Sequence, residues 1–207
     1  MDAERIFKEA SAAYDAHDFQ TALARLIPLG DEGHAGAQCL LADMYRWGHG
    51  VEEDAEKSFH FYKAAADQGH PTAALYLWLL LHSKSAPAAE ALSRDEAAPT
   101  HYLNIAVTRF KELAEANDME AMSNLGFLYH HGYGVDLDGA EAIHWYTKAF
   151  EAGGYAAANN LALLHYEGDL RVRDKAKALF WYMKTKEFNC QCVGINEFEA
   201  KLSSDAT

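Results

Sequence analysis

Between Glu120 and Gly153, apolar and small residues recur at three- and four-residue spacing in two separate blocks. Ala121, Leu125, Gly126, Leu128 and Tyr129 share one face of a first helix, and Ala142, Trp145, Tyr146 and Ala149 share one face of a second. Gly132 and Gly134, on either side of Tyr133, interrupt the pattern. Glycine takes up positive φ without steric cost, so the backbone can reverse here within a few residues. Asp138 predicts the start of the second helix: its carboxylate can accept a hydrogen bond from a first-turn amide, and Glu141 three residues on completes a capping-box pattern. One helical hairpin cannot cover two apolar stripes, so the unit predicts neighbours of its own kind.

Those neighbours are present at a fixed interval. Eighty-four residues earlier stand Ala37, Leu41, Ala42, Tyr45, Gly48, Gly50, Val51, Asp54, Phe61 and Tyr62, against Ala121, Leu125, Gly126, Tyr129, Gly132, Gly134, Val135, Asp138, Trp145 and Tyr146. Thirty-six residues later come Ala157, Leu161, Ala162, His165, Gly168, Asp174, Ala178, Trp181 and Tyr182, with His165 replacing the tyrosine and Leu170 the second glycine. An interval of 84 exceeds two periods of 36 by twelve, which predicts a further copy carrying a twelve-residue insertion. Ala73, Leu77 and Leu81 fill its first helix, Phe110 and Lys111 its second, and Lys84 to Pro99 replaces the glycine turn as a longer connection. Phe7, Ala10, Tyr14, Asp18, Phe19, Ala22, Leu23 and Leu26 predict two shorter helices ahead of the first full unit. The expected organisation is a degenerate pair over 1–32 as an N-terminal cap, and repeats at 33–70, 71–118 with loop 84–99, 119–154 and 155–190. A C-terminal cap and tail over 191–207 follow, in which Ile195, Phe198 and Leu202 roughly share a side.

The run of landmarks from Ala121 to Ala149, AxxxLGxxYxxGxGVxxDxxxAxxWYxKA, resembles the Sel-1-like repeat family, a branch of the tetratricopeptide-like α/α solenoids. The likeness extends from about Gly33 to Lys186. It implies an all-α, right-handed superhelix of antiparallel helix pairs, used as a protein-interaction scaffold or adaptor. Some secreted relatives carry a disulfide in each repeat, and the equivalent positions here lack those cysteines.

Composition narrows the partner. Asp and Glu outnumber Lys and Arg by 31 to 18, a formal charge of −13, and no segregated basic patch is evident, so nucleic acid is an unsuitable partner. A protein or peptide with a basic surface is expected instead. The first four residues include two acids, no apolar stretch of signal-peptide length follows, and the longest apolar run, Ala73 to Leu81, is too short to span a bilayer. Three cysteines, Cys39, Cys190 and Cys192, do not make a disulfide framework. A cytoplasmic protein with no membrane partner is expected; its oligomeric state is open.

Catalytic chemistry finds little support. The glycines sit in turns and not after a strand, so they are turn-makers and not a phosphate cradle. His130 and His131 are neighbours on a helix and point about 100° apart, which does not suit one metal ion, and no HExxH or CxxC occurs. No serine heads an SxxK, and SDN, KTG and GxSxG are absent, although some relatives have been described as β-lactamases. No catalytic residue, metal or cofactor is expected. The tyrosines and tryptophans of the repeats read as core.

With Leu125 and Tyr129 placed inward, the helical wheel turns a set of changing residues toward the concave groove. They are Cys39, Asp43, Arg46 and Trp47; Leu75, Leu79, His82 and Ser83; Ser123, Phe127, His130 and His131; and Asn159, Leu163, Tyr166 and Glu167. The partner-binding groove is expected at Asp43, Arg46, Trp47, Leu79, His82, Ser123, Phe127, His130, His131, Asn159, Leu163 and Tyr166. Mixed apolar, aromatic and hydrogen-bonding groups along one stripe suit a peptide or partner helix. The alternative is that Leu79, Phe127 and Leu163 are buried by curvature, and exposure of Trp47 and His131 separates the two readings. A non-catalytic scaffold or adaptor is the expected function. An immunity-type protein blocking one toxin or enzyme is the alternative, and a hydrolase the more distant one.

Overall fold

The computed structural model describes residues 2–83, 98–168 and 172–188. Among these residues there are ten helices and no strand. They are α1 (Ala3–Asp15), α2 (Phe19–Asp31), α3 (Ala35–Trp47), α4 (Ala55–Asp67), α5 (Pro71–Ser83), α6 (Ala98–Glu115), α7 (Met119–His131), α8 (Gly139–Glu151), α9 (Ala157–Glu167) and α10 (Lys175–Glu187). Pairs α1/α2, α3/α4, α7/α8 and α9/α10 pack as hairpins. Each hairpin meets the next through its second helix, α2 on α3, α4 on α5 and α8 on α9. The chain forms two units, residues 1–109 and 110–207, divided within α6.

The joint within α1/α2 and the joints between pairs are built the same way. His17, Gly33, Gly69, Asn117 and Gly153 take positive φ at the end of a helix. In each case that residue and the next return their amides to the last turn, as when Gly33 N–H donates to Gly30 O at 3.1 Å and His34 N–H to Leu29 O at 2.9 Å. The residue after the reversal often caps the following helix directly: Asp18, His34 and Asp118 accept from Thr21, Ala37 and Ala121 amides. His70 does the same for α5, with Nδ1 3.3 Å from Ala73 N.

Within α3/α4 and α7/α8 the reversal uses the glycines the sequence pointed to. Gly48 and Gly132 close α3 and α7 in the left-handed region, at φ 65° and 69°. A second, longer-range tie then locks the turn. The Asp54, Asp138 and Asp174 amides donate to the carbonyls of Tyr45, Tyr129 and His165 at 2.9, 3.0 and 2.8 Å. Each of these aspartates also caps its helix with its carboxylate. This corrects the expected capping box. The Asp138 amide is already taken by Tyr129 O, so Glu141 does not reach back to it; its carboxylate accepts the Trp145 indole N–H at 3.1 Å.

The core follows the repeating columns. Ala37, Ala73, Ala121 and Ala157 are 0–2% exposed, and Tyr62, Phe110, Tyr146 and Tyr182 range from 0% to 8%. Each buried aromatic contributes about 1.5–3 kcal/mol by area. The column before the tyrosine behaves differently: Phe61, Trp145 and Trp181 are half-buried, so only one member of each aromatic pair is core. Lys148 Nζ lies 4.9 Å from the Trp145 ring centroid. Approach is close at Gly126, where an added Cβ would stand 2.8 Å from the Tyr146 ring.

Two boundary expectations change. The leading helices α1 and α2 are 13 residues each, the same length as α3 and α4, and not shorter. Helix α6 begins at Ala98, so Ala98 and Pro99 belong to a first turn, where proline's missing N–H costs nothing, and not to the inserted connection. Residues 84–97 and the expected C-terminal cap at 191–207 lie outside the described residues. No described helix is long and apolar enough to cross a membrane.

Candidate partner-binding surfaces

In the first unit, the predicted residues on α3 form a polar and aromatic cluster with groups from α1, α4 and α5. Tyr62 Oη donates to the half-buried Asp43 carboxylate. Burial raises the Asp43 pKa, opposed by the Tyr62 hydrogen bond and the charges of Arg46 and His49; burial and the Asp43 charge raise that of Tyr62. The Arg46 guanidinium lies over two rings, 4.9 Å from the Trp47 centroid and 5.3 Å from that of Tyr76. Its Nη1 is buried with no hydrogen-bond partner. Trp47 itself is 57% exposed. On α5, Leu79 is half-buried and His82 exposed, its ring stacked on Trp78 at 5.1 Å.

In the second unit, α7 presents an aromatic ladder. His131 stacks on His130 at 4.5 Å and on Tyr133 at 5.3 Å, and Phe127 lies 4.4 Å from His131. The expectation that the two histidines point apart fails at the ring level. The Cα–Cβ bonds diverge, yet side-chain rotation lays the imidazoles nearly parallel, 19° apart, because flat-ring packing is available on the half-buried face. Desolvation first, then the His131 charge, pulls the His130 pKa down to about 4, with Glu167 opposing. Desolvation also lowers that of His131. Both imidazoles are therefore neutral near pH 7, able to accept as well as donate.

The remaining predicted positions divide by burial. Ser123 is half-buried and His131 exposed. Asn159 is only 7% exposed, while Leu163 and Tyr166 are half-buried against Ala162, Ala178 and Tyr182 between α9 and α10. Phe127 and Leu79 are half-buried, and of the wider column Cys39 and Leu75 are buried, at 6% and 3%.

Sequence reasoning missed His49 and Tyr133. Each stands between the two glycines of its turn, at the same column of the repeat; Tyr133 folds back onto the predicted surface, and His49 onto α1 and α2 beside it. His49 Nδ1 lies 2.9 Å from Tyr14 Oη and its ring stacks on Phe19 at 4.7 Å, while Tyr133 contacts His131 and Phe127. The available signal was a changing side chain inside an otherwise repeating glycine frame. That same turn in the second unit borders an open cleft of about 650 Å³ lined by Lys111, Tyr129, Gly132, Gly134, Val135, Asp136 and Asp138. Among the described residues no group of three or more His, Cys, Asp and Glu side chains is placed to hold a metal ion.

Helix pairs joined by repeated turns, stacked through small-residue columns and displaying changing side chains on the first helix of each pair, define an all-α repeat solenoid. The Sel1 repeat family model matches residues 35–70, 120–154 and 156–184, and the chain belongs to the Sel1 repeat family, whose members typically serve as protein-interaction scaffolds. Among solved structures, a Sel1 repeat protein from Oxalobacter formigenes is similar at 28% identity and a TM-score of 0.52, over 87% of this chain and 69% of that one. The protective antigen c5321 of uropathogenic Escherichia coli, with an SLR fold, is 29% identical with a TM-score of 0.47, over 80% of this chain and 33% of that one. The chitin synthase regulator SKT5 of Saccharomyces cerevisiae is 31% identical over 148 residues, 70% of this chain. The chain spans about a fifth, 20%, of that relative's length.

Proposed function

We propose that the chain is a non-catalytic interaction module that holds a peptide, helix or domain of a partner protein. The contacts come from Asp43, Arg46, Trp47, Leu79 and His82 in the first unit, and from Ser123, Phe127, His130, His131, Asn159, Leu163 and Tyr166 in the second. One observation carries the reading: an exposed Trp47 beside an Arg46 whose buried Nη1 has no acceptor. A buried, unsatisfied guanidinium donor is costly, and an incoming carbonyl or carboxylate would relieve it while Trp47 is covered. Asn159, being buried, acts by shaping the surface from beneath. The formal charge of −13 favours a partner with a basic surface and an association that slows as salt rises. Three cysteines that do not make a disulfide framework favour action in a reducing compartment such as the cytoplasm.

Affinity capture from the native cell, with wild type, Trp47→Ala and Phe127→Ala in parallel, identifies the partner and tests the surface together. The partner's affinity, measured with purified proteins, is expected to weaken by about 1–4 kcal/mol in each variant with helicity retained. A partner bound equally by both folded variants refutes the assignment. A single tight, stoichiometric complex that silences an enzyme would identify an immunity-type protein instead.

A further inference from the structure

Asp43 and Arg46 stand three residues apart on one face of α3, and no other unit repeats the pair. At the Asp43 column the later units carry Leu79, Phe127 and Leu163, and at the Arg46 column His82, His130 and Tyr166. Packing of the tyrosine that Asp43 meets does not call for an acid. Tyr146 and Tyr182 fill the Tyr62 column, 1% and 8% exposed, with Phe127 and Leu163 at the Asp43 column of their units. An acid and a base that the architecture does not require are left for recognition.

Each brings one unused group. Tyr62 Oη donates to Asp43 Oδ1, and among the described residues Asp43 Oδ2 has no hydrogen-bond donor. Arg46 Nη1 is buried and has no acceptor. The guanidinium is held by rings instead, 4.9 and 5.3 Å from the Trp47 and Tyr76 centroids, and swinging out to water would forfeit both contacts. The Arg46 charge acts on Asp43, so the open donor and the open acceptor belong to one patch.

Charge decides what fits that patch. A carboxylate on Nη1 would stand beside the Asp43 carboxylate, and an ammonium on Oδ2 beside the guanidinium, so attraction at one group is offset by repulsion at the other. A neutral group that accepts and donates from one edge meets neither penalty. A trans peptide group turns its C=O and N–H to opposite sides, whereas a primary carboxamide has one N–H on the same side as its C=O. We propose that Asp43 and Arg46 clamp the side-chain carboxamide of an Asn or Gln in the partner, its C=O accepting from Arg46 Nη1 and its N–H donating to Asp43 Oδ2, beside the exposed Trp47 ring. This clamp rests on the Trp47 surface proposed above and gives that surface its specificity.

The probes are the N-methylamides of N-acetyl-glutamine, N-acetyl-glutamate and N-acetyl-alanine, titrated into the full chain at neutral pH. NMR follows the Trp47 indole N–H, its signal assigned with Trp47→Phe. The glutamine probe is expected to move that signal with an affinity at least about tenfold above the other two, because each analogue leaves at least one of the two groups unpaired. Asp43→Leu and Arg46→His, each introducing a residue found at that column in another unit, are expected to abolish the preference with helicity retained. The three-probe comparison in the unaltered chain decides the matter should either variant fail to fold. A response to the alanine probe equal to that of glutamine would mean main-chain contact, and a stronger response to glutamate a carboxylate site; either overturns the proposal, as does an unmoved indole. Partner binding that depends on Trp47 while the glutamine probe shows no preference would leave the surface standing and remove the clamp.

Discussion

The strongest physical lever on the second unit is the protonation of His130. Its imidazole is half-buried, stacked on His131, edge-on to Tyr146 at 6.3 Å, and opposed only by Glu167, so its pKa falls from an ordinary 6.5 to about 4. In the unfolded chain it titrates near 6.5. The sign follows from which state binds the proton first. Above pH 6.5 both states are neutral and the full stability is present. As pH falls through 6.5 the unfolded chain gains a proton that the folded one refuses, and stability is lost until the folded pKa is reached. The gap corresponds to roughly 3 kcal/mol at about 1.4 kcal/mol per pH unit, and screening at a half-exposed site reduces this to about 1–2 kcal/mol. Burial of His131 adds to the loss in the same direction. NMR titration of the imidazole C–H signals reads the pKa directly. Urea unfolding of wild type and His130→Gln at pH 7.5 and 4.5 reads its consequence: the acid-induced loss shrinks by about 1–2 kcal/mol in the variant. A His130 pKa of 6 or above, or an identical acid loss in the two proteins, refutes the reasoning.

Two further substitutions test the packing and capping. Gly126→Ala places a methyl 2.8 Å from the Tyr146 ring and is expected to cost about 1–3 kcal/mol by thermal unfolding, whereas Ala42→Gly at the same column of the first unit creates no clash. Asp138→Ala removes the acceptor for the Ala140 and Glu141 amides while leaving the backbone tie to Tyr129, and is expected to cost about 0.5–2 kcal/mol; a change within a few tenths would mean the tie alone holds the turn.

Much of the fold was legible because it rests on local rules. A helix stripe, a glycine at positive φ and an aspartate cap are each decided within one turn of chain, so Gly48, Gly132, Asp54 and Asp138 declared their roles by residue type and spacing. The repetition then showed which aromatic columns are architectural. The candidate surfaces were only partly legible: the period put Arg46, Trp47, Phe127 and His131 on the first helix of a pair, but said nothing of what would lie against them.

What the sequence determined, then, is the array of helix pairs and the columns that repeat or change within it, because backbone hydrogen bonding and side-chain periodicity are short-range. What only the tertiary structure decided is pairing between segments. Asp43 meets Tyr62, and His49 meets Tyr14, across 19 and 35 residues. Glu141 turns to Trp145 because Tyr129 has already taken the Asp138 amide, and two histidines that diverge at Cα stack at their rings. Each outcome depends on rotamers chosen under packing and on competition for one donor, quantities that exist only once the helices have met.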